Sequence, residues 1–147
     1  MKTVIYAFVA ALAIPLVASQ SFANTTAADC EAETNYQEVT KAELETMVKA
    51  KSAFIIDANG KDSYKKQHIG TAIDYKSIKS QKDGANAFVA KLPAQKDALI
   101  VAYCGGPQCA AWKEAAEEAC QNGYTNIRHF KGGLTAWKDK KWTDKKM

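Results

Sequence analysis

The chain has 147 residues, 47% of them hydrophobic, with 20 Lys and Arg against 16 Asp and Glu. A net charge of +4 is too mild to announce a nucleic-acid partner, and no low-complexity linker or internal repeat divides the chain. Four cysteines are few for a disulfide scaffold, so one domain with its own modest apolar core is expected.

In chain order, Lys2 precedes the apolar run "VIYAFVAALAIPLVA", which Pro15 interrupts and which is too short to span a bilayer comfortably. Small residues at Ser21 and Ala23 then complete the pattern of an export signal. Residues 1–23 are read as a cleaved signal peptide and 24–35 as a polar lead-in, with no stable membrane insertion after cleavage. One lysine and no lipid or wall-sorting motif suit export to a periplasm. The folded domain is placed at 36–142, followed by a basic tail at 143–147.

Thr40 and Glu43 have capping-box spacing, and Leu44, Met47 and Val48 then share one helical face. "AFIIDA" reads as a buried strand ending at Asp57, and "DSYKKQH" as a short helix capped by Asp62 or Ser63. "TAIDY" reads as the next strand, "GANAFVAKLP" as a helix stopped before Pro93, and "ALIVAYC" as a second strongly apolar strand. Trp112, Ala115, Ala116, Ala119 and Cys120 form the apolar stripe of a helix predicted over 110–122, with Gly123 as its C-terminal cap. "TNIRHF" is a last strand, Gly132–Gly133 a turn, and "LTAWKD" a closing helix. Strands alternating with helices predict an α/β fold: a central, mainly parallel sheet with helices on both faces.

The decisive stretch is "YCGGPQCAAW", residues 103–112. Cys104 leaves a strand and a helix starts a few residues later, at the end of the sheet where ligands bind in such folds. Gly105 and Gly106 are expected to take backbone conformations closed to other residues, curling successive N–H groups inward. Those amides and the helix N-terminus would favour a thiolate at Cys104 over the thiol.

Three segments, "FIIDANGKDSYKKQHIGTAIDY", "ALIVAYCGGPQCAAW" and "GYTNIRHFKGGLTAW", together resemble the successive signatures of a single rhodanese domain. Asp57, then His68, Ile69, Ala72 and Ile73, then Cys104, then Gly132, Gly133 and Trp137 match the family pattern in order, over roughly residues 36–142. The resemblance implies a rhodanese-like three-layer fold and sulfur transfer; no cofactor is expected, and a zinc site at Cys104 and Cys109 is disfavoured because only His68 and His129, neither near in sequence, could complete it. Cys104 would take the outer sulfur of a small donor such as thiosulfate, and a thiol, cyanide or a protein thiol would accept it.

The resemblance also implies that amides of Gly105, Gly106, Gln108, Cys109 and Ala110 stabilise the charge, while Pro107 has no N–H to give. Two positions depart from the pattern. Cys109 and Asn59 stand where the family often carries Arg, which removes cations for an anionic donor; Lys113 is the nearest replacement.

Cys109 adds a second thiol, able either to resolve a Cys104 persulfide or to rest with Cys104 as a disulfide, or else with no chemistry of its own. A thiol–disulfide oxidoreductase using Cys104 and Cys109 and a non-catalytic binding module are the alternative readings. A cysteine phosphatase is disfavoured because Ala110 occupies the place of its arginine. Among the supporting residues, Asp57 is expected to order a loop and His68 to be structural. Cys120 reads as a buried apolar residue and Cys30 as either paired or free, and His129 earns no role.

Overall fold

The computed structural model describes Cys30 and residues 36–139. The segments read as export signal and basic tail, and the lead-in apart from Cys30, lie outside the described residues.

Five strands form one sheet: β1 (Gln37–Glu38), β2 (Phe54–Asp57), β3 (Ile73–Asp74), β4 (Ile100–Tyr103) and β5 (Ile127–His129). Their spatial order is β1-β5-β4-β2-β3, and every pairing is parallel. The described helices are α1 (Lys41–Ala50), α2 (Lys61–Lys66), α3 (Tyr75–Lys79), α4 (Gly84–Val89), α5 (Trp112–Gln121) and α6 (Gly133–Lys138).

β4 is the central strand, and its four residues are all buried. With helices on both sides of it, its alternating side chains feed two cores. Ile100, Ala102 and Cys104 face Tyr75 of α3, Phe88 of α4 and the Trp112–Cys120 stripe of α5. Val101 and Tyr103 face Leu44 of α1, Ile69, and Leu134 and Ala136 of α6. This is the three-layer α/β architecture that the pattern of apolar runs predicts.

Local signals account for most of the elements. Thr40 and Glu43 form a complete capping box on α1, with the Thr40 N–H donating to Glu43 Oε2 at 2.8 Å. Gly123, at φ +84°, ends α5 with its N–H on the Cys120 carbonyl at 2.8 Å.

Three local expectations are corrected. α2 has Gly60 as its N-cap and no side-chain cap, so neither Asp62 nor Ser63 plays that part. "TAIDY" contributes only Ile73 and Asp74 to the sheet, because the Asp74 carboxylate accepts the Ser77 N–H at 3.0 Å and starts α3 at Tyr75. α5 begins at Trp112 rather than Ala110, since the preceding residues are still in a turn.

α3 is then tied across to α5. The Tyr75 hydroxyl donates to Glu118 at 2.8 Å, Lys79 pairs with Glu118 at 2.9 Å, and Lys76 pairs with Glu114. Burial, then the Glu118 hydrogen bond, holds the Tyr75 phenol far above its usual range.

Cys30 and Cys120 form a disulfide with a Cα separation of 5.8 Å; both are buried, Cys120 on α5. This corrects the reading of Cys120 as a plain apolar residue. It lies on the apolar stripe, but it also ties Cys30 to the core.

Candidate active site

The loop after β4 is built by a turn and a clamp. Within the turn, the Cys109 N–H donates to the Gly106 carbonyl at 2.9 Å, with Pro107 next after Gly106, where its fixed φ favours a reversal. The chain thereby doubles back, and Cys104 and Cys109 are joined as a disulfide with a Cα separation of 6.2 Å. Cys104 is 1% exposed, whereas Cys109 is only half-buried.

The clamp comes from the N-terminus of α6. The Leu134 N–H donates to the Cys104 carbonyl at 2.9 Å, and the Thr135 N–H and Oγ1 both donate to the Gly105 carbonyl, at 3.0 and 2.8 Å. These bonds need the two backbones in contact. Gly133 allows it: its φ is +55°, and a Cβ there would lie 2.4 Å from the Cys104 oxygen and 2.7 Å from the Gly106 nitrogen.

Two expectations about the loop change. Gly105 and Gly106 do not adopt positive φ. What Gly106 supplies is space, since a Cβ would sit 3.2 Å from Thr135 Oγ1. The Cys109 amide is engaged in the turn, so it is not available to an anion in this oxidised form. Among the described residues, no backbone hydrogen bond uses the N–H of Gly105, Gly106, Gln108 or Ala110.

The end of β2 forms the neighbouring wall. Asp57 is fully buried; its Oδ1 accepts the Asn59 N–H at 2.7 Å and the Asn59 side-chain amide at 2.8 Å. Its Oδ2 accepts the Tyr103 hydroxyl at 2.5 Å, and that hydroxyl accepts the Ile69 N–H at 2.9 Å. Burial first, then the bond to Asp57, keeps the Tyr103 phenol well above its usual range. Asn59 is thereby positioned against Gly105, where a Cβ would lie 3.6 Å from Asn59 Oδ1.

His68 is exposed and belongs elsewhere: its ring stacks on Tyr64 at 4.1 Å and its Nδ1 lies 3.0 Å from the Tyr64 carbonyl. Lys113 is exposed, one residue into α5. His129 is buried with its ring stacked on Trp112 at 3.6 Å, and Tyr36 meets the edge of the same indole. Burial, followed by the charges of Lys131 and Lys113, lowers the His129 pKa to about 4.

Sequence reasoning singled out Cys104, its loop and the Gly-Gly pair but not Tyr103, Leu134 and Thr135, which the structure bonds to the loop or to Asp57 beside it. Thr135 had a weak signal, an isolated hydroxyl two residues after Gly133 in a helix start. Tyr103 had none, because an aromatic residue in an apolar strand reads as core.

A family model described as "Rhodanese-like domain" matches residues 40–140. The chain belongs to the rhodanese-like family. It is similar, at 24% identity over 103 residues, to the thiosulfate sulfurtransferase GlpE of Coxiella burnetii, an alignment covering 70% of this chain and 88% of that protein. Two solved structures share the fold. The human single-domain sulfurtransferase TSTD1 is 20% identical, with a TM-score of 0.53 over 71% of this chain and 97% of that one. A protein from Bacillus halodurans is 25% identical, with a TM-score of 0.56 over 76% and 88%.

In this rhodanese-like domain the loop from Gly105 to Ala110 carries no cationic side chain, and Lys113 is the first one beyond it.

Proposed function

We propose that this rhodanese-like protein is an exported sulfurtransferase in which Cys104 accepts sulfane sulfur as a persulfide. The observation that carries the reading is the placement of Cys104. It follows the central strand of a rhodanese-like domain, its carbonyl is held by the Leu134 amide, and the amides of Gly105, Gly106, Gln108 and Ala110 lack backbone acceptors among the described residues. Amides without backbone acceptors in the loop that carries Cys104 would stabilise a thiolate or persulfide there by their partial positive charge.

Export is supported by the apolar N-terminal run and by the two disulfides, which involve all four cysteines of the chain. In an oxidising compartment the enzyme rests with Cys104 bonded to Cys109, and a thiol reductant must open that bond before sulfur is accepted. The similarity to a thiosulfate sulfurtransferase favours thiosulfate as the first donor to try.

Reduced Cys109→Ser protein incubated with thiosulfate should gain the mass of one sulfur atom, and adding Cys104→Ser should abolish the gain. No gain with thiosulfate or with a persulfide donor would remove the assignment. A second reading, a thiol–disulfide oxidoreductase, is favoured by the Cys104–Cys109 disulfide itself. It predicts dithiol turnover that is lost in Cys109→Ser while sulfur uptake by wild type is absent.

A further inference from the structure

A carrier that hands sulfur to an external acceptor needs one thiol, and this loop holds two. The Gly106–Cys109 turn returns Cys109 to within 6.2 Å of Cys104, Cα to Cα, inside the span a disulfide bridges without backbone movement. The α6 clamp fixes the Cys104 side of the same pair through the Leu134 and Thr135 amides. An external acceptor, like the donor, must reach Cys104 from solvent, and that residue is 1% exposed in this oxidised form. An internal nucleophile already in bonding geometry has the advantage of a high effective concentration.

We propose that Cys109 resolves the Cys104 persulfide, so that the protein reduces sulfane sulfur and releases it as hydrogen sulfide. The proposal rests on Cys104 accepting sulfur. In the first step the Cys104 thiolate attacks the outer sulfur of thiosulfate; the donor S–S bond breaks, sulfite leaves and the persulfide forms. In the second, the Cys109 thiolate attacks Cys104 Sγ. The bond between that Sγ and the outer sulfur breaks, and the outer sulfur departs with the electron pair as hydrosulfide. The two cysteines lose two electrons in forming their disulfide, and the sulfane sulfur gains them. An external dithiol then reduces the disulfide, is itself oxidised to a disulfide, and restores both thiols.

Burial gives this last step a direction. Half-buried Cys109 is the more exposed sulfur for an incoming thiolate, and buried Cys104 is then the leaving group. Reduction therefore frees the residue that must next accept sulfur.

The test uses the full chain, reduced with a dithiol, separated from reductant and mixed with thiosulfate without any acceptor. Wild type should release about one sulfide per chain and finish with the Cys104–Cys109 disulfide, its persulfide only transient. Cys109→Ser should retain the added sulfur, release sulfide at least about tenfold more slowly, and still pass its sulfur to cyanide. A persulfide that stays on wild type with no sulfide burst overturns the proposal and leaves sulfur acceptance standing. So does sulfide release at the wild-type rate from both Cys109→Ser and Cys109→Ala. No sulfur uptake by wild type or by either variant overturns the reading of Cys104 itself. The wild-type sulfide burst decides the matter even where a variant fails to fold.

Discussion

Gly133 stands against Cys104 so closely that a methyl group on it would lie 2.4 Å from the Cys104 carbonyl oxygen. The contact aligns the first amides of α6 with the carbonyls of Cys104 and Gly105. Gly133→Ala must leave its φ of +55° or push the loop away, and either outcome breaks those bonds. The expected loss is at least about 2 kcal/mol of stability, with a fall in the rate of sulfur uptake. Urea denaturation and intact-mass kinetics check it. Thr135→Val is the control: it removes one exposed hydroxyl bond to Gly105 and should change stability by about 1 kcal/mol or less.

The two disulfides differ in what they do. Cys30–Cys120 closes a separation of 90 residues, worth about 4–5 kcal/mol in the chain-entropy account, while Cys104–Cys109 closes 5 residues, worth about 2 kcal/mol. Cys30 and Cys120 are 1% and 5% exposed, so reagents reach them with difficulty. Limiting dithiol should open Cys104–Cys109 first, read by alkylation and peptide mass. The double variant Cys30→Ala, Cys120→Ala should lower Tm by roughly 10–20 °C. An unchanged Tm would mean that the longer bridge does not staple the fold.

The same difference in exposure fixes which sulfur of the short bridge reacts. A monothiol at low excess, quenched with an alkylating agent, should leave its mixed disulfide on Cys109 and the alkyl group on Cys104. The opposite distribution would show that the loop opens before it is attacked.

Much of this architecture was legible in the sequence because the signals are local. Thr40 and Glu43 cap α1 with their own side chains, and the runs at Phe54–Asp57 and Ile100–Tyr103 are apolar because both faces of their strands are covered. What escaped is set by distant partners. α3 is five residues long, and nothing in "YKSIK" predicts it; Asp74 starts it, and Glu114 and Glu118 on α5 hold it. Cys120 reads as apolar because it is buried on a helical stripe, and only the approach of Cys30 reveals the bridge. The loop glycines read as conformational devices, yet the positive φ belongs to Gly133, whose part is visible only once α6 meets the loop.

Tyr103 links the end of β2 to the segment at Ile69 through its hydroxyl, donating to Asp57 at 2.5 Å and accepting from the Ile69 N–H at 2.9 Å. Tyr103→Phe keeps the ring but leaves a buried carboxylate oxygen and a buried amide without that partner. Each orphaned group costs about 1–3 kcal/mol, so the expected destabilisation is roughly 2–6 kcal/mol. Asn59 takes its position from the other oxygen of Asp57, so the loop beside Gly105 should also loosen. Chemical denaturation with hydrogen exchange at Ile69 and Asn59 would detect both effects, and a variant as stable as wild type would refute the linkage.

His129 makes stability depend on pH in a definite direction. Its folded pKa is about 4 because burial and then the charges of Lys131 and Lys113 disfavour the imidazolium, against an ordinary value of 6.5 in the unfolded chain. Between those values the unfolded state binds more protons than the folded one, so acid favours unfolding. The contribution is fully present above about pH 6.5, shrinks as pH falls, and is lost by about pH 4. The whole interval corresponds to about 3 kcal/mol. His129→Phe preserves an aromatic ring against Trp112 and removes the titrating group, so the slope of unfolding free energy between pH 6.5 and 4.5 should flatten in the variant. Parallel slopes in urea titrations of the two proteins would show that the acid sensitivity originates elsewhere. The buried ring also packs on Trp112, the residue that opens α5 after the cysteine loop. Charging it at low pH should therefore loosen that end of the helix before the sheet gives way, a sequence that hydrogen exchange along α5 would resolve.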